Sequence, residues 1–211
     1  MVSSASLAAF GAVALGMVLT PGPNMAYLVS RAICQGRMAG LVSLGGVALG
    51  FVIYMLLAAF GITALLLAIP YAYDALRLAG AAYLAWMAWN TLKPGGSSPF
   101  QVRDLPADST SKLFTMGLVT NLLNPKIAAL YLSLLPQFID TAHGDILGQT
   151  LLLGTTQIMI SMAVNAMIVL TAGTIAAFLS GRPFWVHVQR WLMGTVLAGL
   201  AVRMALDTGR R

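Results

Sequence analysis

The sequence predicts an all-α integral membrane protein: six transmembrane helices arranged as two inverted three-helix repeats, with helices 1 and 4 interrupted at proline motifs. Three observations predict it. Of the 211 residues, 59% are hydrophobic and 9% charged, and the mean hydropathy is +0.85. A soluble domain carries about 25% charged residues, so most of this surface must face lipid. The apolar residues fall into six runs, each long enough for the roughly 20 residues a helix needs to cross the hydrocarbon. One polar linker divides those runs evenly, and the same features follow in the same order on either side of it.

The first run extends from about Ser6 to Ser30 and is interrupted by Thr20-Pro21-Gly22-Pro23-Asn24. No Lys or Arg precedes it, as the start of a secretory signal would require, so it is read as a retained helix. The second runs from about Gly40 to Ile69 and is ended by Pro70; the third runs from about Asp74 to Leu92 and is ended by Lys93-Pro94-Gly95-Gly96. Residues 93–112, KPGGSSPFQVRDLPADSTSK, are rich in Pro, Gly and Ser and read as a flexible connection. The fourth run, Leu113 to Phe138, contains Asn124-Pro125-Lys126; the fifth covers Ile146 to Leu179 and the sixth Phe184 to Leu206. The second and fifth exceed the minimum, so tilt or a break is expected. The chain is thus one domain, 1–211, with a first repeat at 1–92, a linker at 93–112 and a second repeat at 113–211.

Placing Pro23 over Pro125 aligns Gly22-Pro23-Asn24-Met25-Ala26 with Asn124-Pro125-Lys126-Ile127-Ala128. Arg77 with Gly80 in the third run answers Arg190 with Gly194 in the sixth, and Gly40 and Gly45 answer Gly148 and Gly154. Repeats with an odd number of spans sit upside down to one another, the plan of many secondary carriers. Lys and Arg set orientation: Arg77 and the C-terminal Arg203, Arg210 and Arg211 fall on one side, and the larger set, Arg31, Arg37, Lys93, Arg103, Lys112, Arg182 and Arg190, falls on the other, in connections one-two, three-four and five-six. That bias places them in the cytoplasm and both termini outside.

The net charge of +6 comes from singly scattered residues, not a basic stripe, so no nucleic-acid partner is expected. The lone Cys34 excludes an internal disulfide and a paired-thiol oxidoreductase. His143 and His187 lie far apart without companion ligands, so neither a metal centre nor another cofactor is expected.

The two proline motifs are the chemical signal. Pro inside a helix removes a hydrogen bond and clashes with the preceding turn, at a cost of about 3 kcal/mol. Irregular backbone at membrane depth survives only inside protein or beside a wet cavity. Two prolines around Gly22 predict an unwound turn. Asn124-Pro125 has the form of a helix start, with Asn as N-cap and Pro at the first position, so a half-helix should begin inside the membrane with unpaired N–H groups. Lys126 beside it lies ~20 Å into the span at 1.5 Å per residue. An ammonium in lipid costs at least ~2.5–3.5 kcal/mol, and a visiting carboxylate would relieve that. The glycines Gly45, Gly46 and Gly50 read as close helix packing.

Thr20-Pro21-Gly22-Pro23-Asn24 in the first run and Asn124-Pro125-Lys126 in the fourth, with Gly80-Ala81-Ala82-Tyr83-Leu84 and Leu135-Pro136-Gln137-Phe138, resemble the LysE/RhtB family of bacterial amino-acid exporters. The resemblance covers nearly the whole chain. It implies multi-pass placement in the bacterial inner membrane and efflux of amino acids or close derivatives, driven by the proton-motive force. Pro21, Gly22, Pro23 and Asn24 carry over the first motif; Asn124, Pro125 and Lys126 carry over the second. The chain departs from relatives that hold an acid after the glycines of the second run, where it reads Gly50-Phe51. It departs again in the fifth run, where it offers Gln157, Ser161 and Asn165. Without a deep carboxylate, a lysine or arginine substrate would lack a partner for its second cation. A neutral or apolar amino acid is expected, its side chain lying on Met159, Met162 and Tyr83.

In this reading the substrate carboxylate meets Lys126 and the N–H groups after Asn124. Its ammonium meets carbonyls freed from Thr20 to Pro23, assisted by Asn24. Gln157, Ser161 and Asn165, four residues apart on one helical face, line the path. Lys126 exchanges the coupled proton. The expected partners are the amino acid, protons and the lipid bilayer; a homo-oligomer is left open. The alternative is a carrier of a small inorganic or organic anion that uses Lys126.

Overall fold

The computed structural model describes residues 2–20, 22–68, 107–179 and 183–206, and positions 78, 81, 82, 85, 86, 88, 89, 92 and 93. Pro21, most of the third apolar run and the linker as far as residue 106 lie outside them. The described residues are helical almost throughout and contain no strand. Helix α1 spans Ser4–Leu19, α2 Pro23–Cys34, α3 Arg37–Ala68 and α4 Thr110–Leu122. Helix α5 starts at Pro125–Ala129, widens into a π turn at Leu130–Leu134 and tightens into a 3-10 turn at Leu135–Phe138. Helices α6, Ile146–Leu179, and α7, Pro183–Leu206, follow.

Helices α1 and α4 open alike. Ser3 caps α1 by accepting from the Ser6 N–H at 3.1 Å, and Ser109 caps α4 by accepting from the Lys112 N–H at 3.3 Å. A Ser side chain here satisfies one of the donors every helix start leaves over. Among the described residues, α3 over Arg37–Gly61 and α6 over Ile146–Thr174 are each apolar and long enough to cross a bilayer. The pairs α1–α2, bent by 53°, and α4–α5, bent by 51°, bring the number of spans to four if each pair is one crossing. The bends fall at the two proline motifs.

Helix α3 packs on α4, and α6 packs on α1, α2 and α3. Glycines set the α3–α4 approach. A Cβ on Gly46 would lie 1.9 Å from the Phe114 carbonyl oxygen, and one on Gly117 would lie 2.1 Å from that of Ser43. Gly50 abuts the Asn121 side chain. The packing role read for Gly46 and Gly50 is the one observed, since small residues let helix backbones meet closely in lipid. Tyr27 donates from α2 to the Leu113 carbonyl at 2.9 Å, and Tyr54 donates from α3 to that of Leu122 at 2.8 Å. Phe10, Leu28, Phe51, Leu130, Tyr131, Leu134 and Leu153 form the buried centre. Phe60, Leu57 and Met167 are exposed outward on α3 and α6, as lipid contact demands.

An ionic tie joins the halves at one end. Asp108, its side chain 7% exposed, pairs with Arg31 near the end of α2 at 2.5 Å and with Lys112 of α4 at 2.6 Å. Gln35 donates to the same carboxylate at 2.9 Å and accepts from the Asp108 N–H at 3.0 Å. Hydrogen bonds from Lys112 and Gln35 hold this carboxyl below its ordinary value of 3.8. A carboxyl whose pKa is lowered by folding stabilises fully above its unfolded value, and that contribution is lost as pH falls through the folded value. Resistance to thermal unfolding in detergent should therefore weaken below about pH 4. Asp108→Asn should lower the melting temperature at neutral pH and flatten that acid fall; an identical acid profile in the variant would contradict it.

Candidate functional site

At the first break α1 stops at Leu19. Thr20 (φ −74°, ψ 128°) and Gly22 (φ −162°, ψ −179°) are extended, and Pro23 opens α2. Thr20 is fully buried; its N–H and hydroxyl both turn back to the Gly16 carbonyl, the hydroxyl at 2.6 Å. The unwound turn read from the sequence is present on either side of Pro21, which itself lies outside the described residues. At the second break Asn124 is the N-cap and Pro125 the first residue of α5, as expected, although nothing is described of the Pro125 side chain.

Two expectations about free backbone groups need correction. The Lys126 N–H is taken by Asn124 Oδ1 at 3.0 Å, and the Ile127 and Ala128 N–H groups bond to the Asn124 carbonyl at 3.0 and 3.1 Å. No donors are therefore left at this helix start for a carboxylate; a compact cap satisfies them, because hydrocarbon supplies no water to do so. Nor do the first break's carbonyls wait for a substrate ammonium. Lys126 Nζ donates to the Met17 carbonyl at 2.9 Å and to the Thr20 carbonyl at 2.7 Å. The C-terminal end of α1 is a concentration of negative partial charge, and the lysine of the other half reaches into it. Lys126 is 4% exposed, so it is no headgroup-level snorkeller. An ammonium has three donors; these two bonds leave one.

Asn24, Lys126, Gln157, Ser161 and Asn165 converge on one cavity of about 20 Å³, walled by Met17, Val18, Met25, Phe51, Ile127 and Leu130. That volume suits a water molecule. Asn24 is 6% exposed and neither its Nδ2 nor its Oδ1 has a hydrogen-bond partner. A buried unpartnered amide forfeits about 1–3 kcal/mol, a sacrifice that makes sense where a ligand completes it. The α6 stripe is a polar ladder: Gln157 Nε2 donates to Ser161 Oγ at 2.7 Å and Asn165 Nδ2 to the Ser161 carbonyl at 2.8 Å. Its members therefore both line the cavity and bond to one another.

Tyr131 was not among the sequence candidates. Its hydroxyl donates to Gln157 Oε1 at 2.5 Å, and its ring stacks on Tyr54 at 5.8 Å. It lies in the π turn of α5, a distortion common at functional sites. The available signal was a tyrosine deep in an apolar run, whose hydroxyl needs a partner when buried.

The apolar surface expected for a substrate side chain also differs. Met159 is 68% exposed, because two residues beyond Gln157 the helix has turned its opposite face. Met162 packs half-buried against the core, and Tyr83 lies outside the described residues. The cavity's own wall is Met17, Val18, Met25, Phe51, Ile127 and Leu130, and no carboxylate is among its lining residues.

Residues 15–208 match the model of a family described as LysE type translocator. The chain is 29% identical over 199 residues to the leucine efflux protein of Enterobacter sp. (strain 638), which covers 90% of each chain. It is 27% identical over 192 residues to the leucine efflux protein of Klebsiella pneumoniae subsp. pneumoniae, and 26% identical over 192 residues to that of Salmonella typhimurium. Each of these two matches covers 91% of both chains. No solved structure matches the chain significantly.

Proposed function

The chain belongs to the LysE type translocator family, and on that footing we propose that it exports an apolar amino acid, leucine or a close analogue, across the bacterial inner membrane. One observation carries the reading. Asn24 and Lys126, the aligned positions of the two proline motifs, meet the Gln157–Ser161–Asn165 stripe at one buried cavity between the helix breaks. The names of the leucine efflux relatives support the substrate.

In this mechanism the carboxylate takes the remaining Lys126 N–H and the unpartnered Asn24 amide. The substrate ammonium meets the polar oxygens of the α6 stripe. The side chain lies on Phe51, Met25 and Leu130. An amino acid exceeds the present cavity, so binding accompanies a movement of the halves, and rocking one against the other exposes the site to each side in turn. Six spans in two inverted repeats are the architecture we assign. The matched caps Ser3 and Ser109, the matched breaks, and the long α3 and α6 of 32 and 34 residues support it. Lys126 is the group we assign to exchange a coupled proton.

Counterflow in proteoliposomes tests the reading. Vesicles loaded with leucine should accumulate labelled leucine, and vesicles loaded with lysine should not. Exchange of inorganic anions without leucine exchange would replace the proposal with an anion carrier.

A further inference from the structure

We infer that the Met17 and Thr20 carbonyls form a seat for a monovalent cation, and that the Lys126 ammonium is its tethered, resident occupant. The inference goes beyond the export reading and does not depend on which solute is carried. Lys126 sits on α5, yet its ammonium leaves its own half-helix and crosses to the broken end of α1. There it accepts no carboxylate partner: among the described residues the ion pairs lie at Asp108, and the hydrogen bonds of Lys126 Nζ go to the two main-chain carbonyls. Carbonyl dipoles at an unwound turn, with the negative end of a half-helix behind them, are the donor set with which broken-helix carriers hold an inorganic coupling cation. A buried lysine held by such a set behaves as a covalently attached version of that ion.

The space around the ammonium is fitted to it. A Cβ on Gly22 would lie 3.0 Å from Lys126 Nζ and 3.1 Å from Cε, so the absence of a side chain at Gly22 leaves the groove through which the lysine arrives. The seat is buried, since Thr20 is fully enclosed and Met17 is 2% exposed. Removing the lysine side chain beyond Cβ empties it without touching either carbonyl. The atoms deleted, Cγ to Nζ, are those of n-propylammonium.

The test is thermal unfolding of detergent-solubilised Lys126→Ala, titrated with n-propylammonium at constant ionic strength against tetramethylammonium, which has no N–H to donate. The expected result is a saturable rise for n-propylammonium, about 4 °C at ten times its Kd, with no rise for tetramethylammonium and none in the unsubstituted protein. Equal responses to the two cations, or an equal response in the unsubstituted protein, overturn the seat. Where Lys126→Ala is not recovered folded, purification in either cation decides: monodisperse protein only with n-propylammonium supports the seat, and no difference overturns it. The readout is cation binding, so its failure leaves leucine export standing, and a failure of export leaves this result intact.

Discussion

Lys126→Ala is expected to lower leucine counterflow by about a hundredfold per folded molecule. A hydrogen bond to a charged group contributes about 1.5–3 kcal/mol, and each 1.4 kcal/mol is a factor of ten. In a site walled by Met25, Phe51 and Leu130, with no second cation among the lining residues, the Asn24 amide alone is left to meet the carboxylate. The variant should also unfold at a lower temperature, because the Thr20 carbonyl loses the donor that now satisfies it at 2.7 Å, while the Met17 carbonyl keeps the Thr20 N–H at 3.3 Å. One unpartnered buried acceptor costs about 1–3 kcal/mol. Counterflow rates normalised to monodisperse protein separate the two effects. A variant of unchanged rate would remove Lys126 from the transport step.

Gly46→Ala is expected to be the most destabilising single-methyl change in the described residues of α3. Its Cβ would stand 1.9 Å from the Phe114 carbonyl oxygen, and 2.8 Å from the Leu118 nitrogen. These are backbone atoms and cannot swing aside, so α3 and α4 must separate along their contact. Overpacking of this kind costs about 3 kcal/mol, at the top of the usual range. Gly61→Ala is the matched control, because a Cβ there meets nothing within 4 Å, and exchanging Gly for Ala in a helix otherwise favours the helix by about 1 kcal/mol. Melting temperatures should therefore fall for Gly46→Ala and hold or rise for Gly61→Ala. Equal values would show that α3 and α4 are not in the contact described.

The legible parts of this chain were those written locally. Helix α6 occupies the predicted Ile146–Leu179, and α3 begins at Arg37 where Gly40 was expected, since long apolar runs and terminal breakers fix such boundaries. Asn124 as N-cap followed from its proline neighbour. The partners of Lys126 were not legible, because Met17 lies 109 residues away and local pattern reports only which groups a break sets free. It does not report which distant side chain reaches them. For the same reason the sequence predicts an open helix start where Asn124 closes it, and it does not single out Tyr131, because a π turn is set by packing. The Asp108 tie joins Arg31 across 77 residues and leaves no local trace either.

The central claim is that an amino acid occupies the cavity between the two breaks. Ser161 lines it at 2% exposure, and Cys34 is the chain's own cysteine, so Ser161→Cys in a Cys34→Ser background places one reporter thiol there. The most direct measurement is the rate at which a small methanethiosulfonate modifies that thiol in proteoliposomes, with and without leucine. Saturating leucine should slow modification severalfold while lysine leaves it unchanged. Modification at the same rate with leucine present would contradict the claim.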